Sequence, residues 1–110
     1  MKRSYISGLA VISLLMGAAS TASALSYSGA AYGQSTYTKD AFISITDTVA
    51  DNKFPAVRYK YNGGTQENVL TNKSGYKTTV SKTAPSKITA IRPCISQGFL
   101  SPMTCGKWIY

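Results

Sequence analysis

Apolar and polar side chains alternate along most of this chain beyond residue 40, and the alternation has the period of a β-strand. Ala41, Ile43 and Ile45 interleave with Phe42, Ser44 and Thr46. A period of two rich in β-branched residues predicts a strand. Asp47 to Lys53 reads as a loop, because the Asp51 and Asn52 side chains can bond nearby backbone. Val57, Tyr59 and Tyr61 then alternate with Ala56, Arg58 and Lys60, a second strand with an apolar face and a basic face. Asn62-Gly63-Gly64 follows at once and suits a tight hairpin turn, which needs positive φ. Thr65 to Thr71 is the expected return strand, and Asn72-Lys73-Ser74-Gly75 the next turn. Tyr76, Thr78 and Val80 alternate with Lys77, Thr79 and Ser81 in a further strand. After a loop at Thr83 to Ser86, Ile88, Ala90 and Arg92 alternate with Thr89 and Ile91 and lead into Pro93-Cys94. Lys107 to Tyr110 predicts a short last strand with Trp108 packed inward.

Helical periodicity is confined to the start of the chain. Lys2 and Arg3 precede an uncharged apolar stretch from Ile6 to Gly17, and Ala22-Ser23-Ala24 closes it with a small-x-small pattern. This predicts a cleavable secretory signal over residues 1–24 and an extracellular protein beginning at Leu25. The apolar stretch is about a dozen residues, short of the roughly 20 that a membrane span needs. From Leu25 to Thr38 the chain is mostly Ser, Gly, Ala, Thr and Tyr. So few aliphatic side chains predict a partly ordered N-terminal arm over 25–38. Residues 39–110 then form one domain. Short strands joined by Gly, Asn and Pro turns predict an all-β fold, a small antiparallel sandwich or barrel.

Export changes how the two cysteines read. An isolated pair in a small secreted chain predicts a Cys94–Cys105 disulfide. The same pair without a histidine anywhere in the sequence is a poor zinc site. No metal or other cofactor is expected.

Charge narrows the function classes. The sequence has twelve basic and four acidic residues. Removing Lys2 and Arg3 with the signal leaves ten against four, a net charge of about +6. Such a balance keeps a small domain soluble and also attracts it to anionic polymers, cell surfaces or acidic proteins. The basic residues are scattered singly, so nucleic acid is not an expected partner. Oligomeric state is not legible in the sequence.

Catalysis is not expected. Without histidine, Ser-His-Asp and Cys-His arrangements are excluded. Asp47 and Asp51 are the close carboxylate pair, and they fall in a predicted turn. Turn formation is their first reading, and a contact to a hard cation such as Ca²⁺ the second.

Two candidate binding features remain. Arg58, Tyr59, Lys60 and Tyr61 interleave cations with aromatics. They are either a half-buried strand with Tyr inward, or a binding face on which rings stack and cations meet phosphates or carboxylates. Lys77 stands among the lysines able to widen that face. The Cys94–Cys105 loop carries Phe99, Leu100 and Met103. These either cap the fold or form a pre-organised recognition loop, as in a protease inhibitor or toxin-like protein. Asn72-Lys73-Ser74 matches a glycosylation sequon and serves equally as a turn.

Asp47, Asp51-Asn52, Val57-Arg58-Tyr59, Asn72-Lys73-Ser74-Gly75-Tyr76 and Thr78-Thr79-Val80 form one order of short motifs. Ile91-Arg92-Pro93-Cys94, Cys105 and Trp108 extend it. Over residues 40–110 this order resembles small exported proteins of streptomycetes and related actinobacteria. The resemblance implies secretion, one disulfide and a β fold, and it carries over no functional residue. The leading functional expectation is a secreted cationic binding protein.

Overall fold

The computed structural model describes residues 24–97 and 102–110. Eight strands run in chain order: β1 Ser26–Gly29, β2 Gln34–Lys39, β3 Phe42–Asp47, β4 Phe54–Tyr61, β5 Asn68–Thr71, β6 Thr79–Thr83, β7 Ile88–Ser96 and β8 Met103–Cys105. They make two antiparallel four-stranded sheets, ordered β1-β2-β3-β6 and β5-β4-β7-β8. Ile43 and Ile45 of β3 meet Val57 and Tyr59 of β4 and Ile88 and Ile91 of β7 between the sheets. Leu25 and Ala84 complete this cluster, and Leu70, Val80 and Ile109 pack against it. The protein is an all-β sandwich with a Cys94–Cys105 disulfide.

Residues 25–38 are not a partly ordered arm. They supply β1 and β2, joined by one 3₁₀ turn over Ala30–Tyr32. The reason lies in what β2 buries. Gln34, Thr36 and Thr38 point inward, opposite Asp47, Ile45 and Ile43. Buried polar groups are tolerable when hydrogen-bonded, and these are. The Gln34 side-chain amide donates to Ala56 O (2.8 Å) and Cys94 O (2.9 Å) on the facing sheet. Thr36 Oγ1 donates to Gln34 Oε1, and Thr38 Oγ1 donates to Leu25 O (2.7 Å). A count of aliphatic side chains does not register a strand held this way.

Two other strands are shifted from their expected places. The return strand starts at Asn68, because the residues after the turn do not pair with β4 until Asn68 meets Tyr59. Asn62 and Gly63 do take the positive φ expected of them, 57° and 68°. The strand expected over Tyr76 to Ser81 is β6, starting at Thr79. Buried Asn72 organises what precedes it. Its amide donates to Ile45 O (3.2 Å) and Thr78 O (2.8 Å), and its Oδ1 accepts Ser74 N (2.9 Å) and Thr78 Oγ1 (3.2 Å). Residues 72–78 therefore close as a loop, with Lys77 at φ 69°.

The last strand also differs. Beyond Cys105, directly opposite Cys94, the tail pairs again at Ile109 opposite Ile91. Four tail steps oppose three on β7, so Gly106–Trp108 bulge outward. Pro93 fits because of this bulge. Its carbonyl accepts Gly106 N (2.8 Å), so its missing N–H faces the tail where pairing is broken. Ile109 packs against the core, and Trp108 turns to the opposite face, not inward.

Candidate functional site

The outer face of the β5-β4-β7-β8 sheet carries Arg58 and Lys60 of the groups singled out above, for reasons that begin with register. Arg58 of β4 lies directly opposite Arg92 of β7, and Lys60 opposite Ala90. Pairing then slips by one residue, so that Tyr61 opposes Ile88. The extra residue, Thr89, accepts Gly63 N on its hydroxyl (3.1 Å). The slip lets Ile88 and Ile91 both face the core while Ala90 and Arg92 lie on the outer side of the sheet, Ala90 covered and 1% exposed. Strict alternation instead places Ile88, Ala90 and Arg92 together.

Trp108 stands beside Arg92 on this face. Arg92 Nε donates to Gly106 O (2.7 Å), which ties the guanidinium to the bulge, and its Cζ lies 5.9 Å from the Trp108 ring centroid. Lys60 Nζ reaches across the small side chain of Ala90 to 4.2 Å from the same centroid. Glu67 contacts Arg58 at 3.5 Å, the one ion pair among the described residues. Three cations thus share a small area with one carboxylate.

Past Ala90 the face drops into a depression of about 270 Å³ lined by Lys60, Gly63, Gly64, Thr65, Thr89, Ala90 and Tyr110. A second depression of about 290 Å³ shares Gly64 and Thr65 with it and adds Tyr61, Asn62 and Gln66. Tyr110 is 78% exposed.

The remaining expected site residues lie elsewhere. Tyr59, 2% exposed, is a core residue, and Tyr61 packs against the core, so the Tyr residues of β4 do not share a face with its cations. Lys77 lies in the 72–78 loop beside Asp47, at the other end of the sandwich, with its ammonium 5.4 Å from the Tyr76 ring. Met103 is half-buried in β8 opposite Ser96. Phe99 and Leu100 lie outside the described residues.

Arg92, Trp108, Glu67 and Tyr110 were not anticipated. Arg92 and Trp108 carry a usable signal, a cation and an aromatic next to the core residues Ile91 and Ile109, but only the bulges decide which way they point.

A separate depression of about 230 Å³ is lined by Asp47, Val49, Asp51, Lys53, Phe54 and Tyr76 among others. Asp47 Oδ1 accepts Val49 N (3.2 Å) and Asp51 Oδ1 accepts Lys53 N (3.1 Å). Both carboxylates thus close turns onto backbone two residues on. Among the described residues no three His, Cys, Asp or Glu side chains converge, and no helix is long and apolar enough to cross a membrane.

Comparison with protein-family models, with curated proteins and with solved structures finds no match to the chain.

Proposed function

We propose that the chain is a secreted cationic binding protein that holds an anionic polymer of the cell envelope or extracellular space on its outer β4–β7 face. One observation carries this reading: Arg58 and Arg92, both half-buried, stand directly opposite each other on the outer sheet face. Like charges at opposed positions destabilise a sheet by a few tenths of a kcal/mol or more. The fold meets the pair with one carboxylate, Glu67 at Arg58, and one carbonyl, Gly106 O at Arg92, which leaves net positive charge for a polyanion to neutralise. Guanidinium forks suit carboxylates and phosphates alike. The secretory signal over residues 1–24 and the excess of basic residues agree with this placement.

Exposed charges are screened over a Debye length of about 8 Å at physiological ionic strength. Binding of the mature chain to an anionic polymer should therefore weaken steeply between 20 and 300 mM salt, which a titration by calorimetry measures. Arg58→Gln with Arg92→Gln should reduce low-salt affinity about tenfold or more, each lost contact to a charged group being worth about 1.5–3 kcal/mol. Absence of binding at low salt, or binding indifferent to salt, would contradict the proposal.

A further inference from the structure

We infer that the polymer is an acidic polysaccharide, with a uronate residue seated in the Ala90 depression against Trp108 and its carboxylate on Lys60. The inference rests on the anionic-polymer reading above and adds the chemistry of the monomer. A chain of bare phosphates needs only a row of cations. This row instead leads into a depression whose walls are of another kind.

Gly63 and Gly64 present backbone without side chains, and Ala90 makes a shallow floor. Tyr110 supplies a ring in the wall and Thr65 a hydroxyl for sugar OH groups, while Trp108 stands just outside the lining, beneath the ammonium of Lys60, with a ring face that suits the C–H surface of a sugar. At about 270 Å³ the space lies just below the ~300–1,000 Å³ of sites for drug-sized ligands. That is the scale of a sugar ring. The adjoining depression offers Asn62 and Gln66 amides beside Tyr61, so the next unit of a chain finds the same mixture of ring and hydrogen-bonding groups.

Lys60 is what makes the site selective for acid over neutral sugar. Its ammonium lies over the Trp108 ring at 4.2 Å, a contact that is weak where water reaches it. A carboxylate forms a charge-assisted hydrogen bond with an ammonium, roughly twice as strong as a neutral one. Moving Lys60 onto that carboxylate uncovers the ring face for the sugar. The ligand thus supplies both the charge that displaces Lys60 and the surface that replaces it.

Trp108 is the single tryptophan of the sequence, so its emission reports on this site alone. The mature chain should be titrated with oligogalacturonate, with its methyl ester and with inorganic polyphosphate, following Trp108 emission and calorimetric heat together. Oligogalacturonate is expected to shift the emission and to bind at least tenfold tighter than either comparison ligand. Lys60→Met should remove the preference for the acid over the ester, and should weaken the acid at least threefold more than it weakens polyphosphate, which keeps Arg58 and Arg92. Polyphosphate binding as tightly as the glycan, or glycan binding that leaves Trp108 emission unchanged, would overturn the polysaccharide assignment while leaving the anionic-polymer reading standing. Failure of every polyanion at low salt would overturn both.

Discussion

Gln34, Thr36 and Thr38 occupy inward positions on β2 that an aliphatic face would fill in an ordinary sandwich. Gln34 alone ties two carbonyls of the facing sheet, Ala56 O and Cys94 O, to the β2 backbone. A buried carbonyl left without a donor costs about 1–3 kcal/mol. Gln34→Leu keeps comparable bulk and removes both bonds, so it should destabilise the fold by about 2–4 kcal/mol in urea unfolding. Asn72 plays a matching part, joining residues just past β5 to Ile45 O of β3 and, through its own N–H, to Pro55 O of β4. Asn72→Ala should cost about as much by the same measurement. The amide of Asn72 is fully buried and spent on two carbonyls. The sequon it begins is a structural turn in the folded chain. Neither residue was legible as structural from the sequence, because a polar side chain scores against burial until its partners are known.

Among the strands, β3, β4 and β7 were legible because Ile43 and Ile45, Val57 and Tyr59, and Ile88 and Ile91 give each an apolar inward side. The strands β1 and β2 were not, since their burial rests on hydrogen bonds. Face assignments failed where a bulge intervenes, at Thr89 on β7 and at Gly106–Trp108 on the tail. One extra residue reverses the direction of every side chain beyond it. The tail is held by the Cys94–Cys105 disulfide, with cysteines 11 apart in sequence, and by the reciprocal Ile91–Ile109 backbone bonds (3.0 and 2.8 Å). Closing a loop of this length contributes about 3 kcal/mol on the chain-entropy model. Cys94→Ser with Cys105→Ser should lower unfolding stability by about that amount and weaken polyanion binding, because the bulge that carries Trp108 loses its anchor. Retained affinity in a folded double variant would show that the tail is not part of the binding face. Gly106 bears directly on this element. A Cβ there would lie 3.0 Å from the Tyr32 ring, tighter than ordinary contact, so Gly106→Ala should push the bulge outward and alter Trp108 emission in the free protein.

At the scale of the whole molecule the excess positive charge is not spread evenly in its consequences. Asp47 and Asp51 are committed to turns at one end of the sandwich. Arg58, Lys60 and Arg92 meet one carboxylate, Glu67, on the outer face of one sheet. The alternation of β4 made Arg58 and Lys60 visible as an outward basic pair. It could not show that Arg92 faces Arg58, which depends on pairing between segments more than 30 residues apart, or that Trp108 completes the patch, which depends on the bulged pairing of the tail with β7. The central claim is that this patch is a polyanion site, and charge reversal tests it most directly. Arg58→Glu with Arg92→Glu should leave the chain folded, with a lower unfolding transition for the lost Arg92–Gly106 bond and Arg58–Glu67 pair, and abolish low-salt binding of an anionic polymer. Lys82→Glu with Lys39→Glu, the same change in net charge placed on the other sheet, should leave most of that binding intact. Equal loss of affinity in the two double variants would contradict the account, because net charge, not the outer β4–β7 face, would then govern binding.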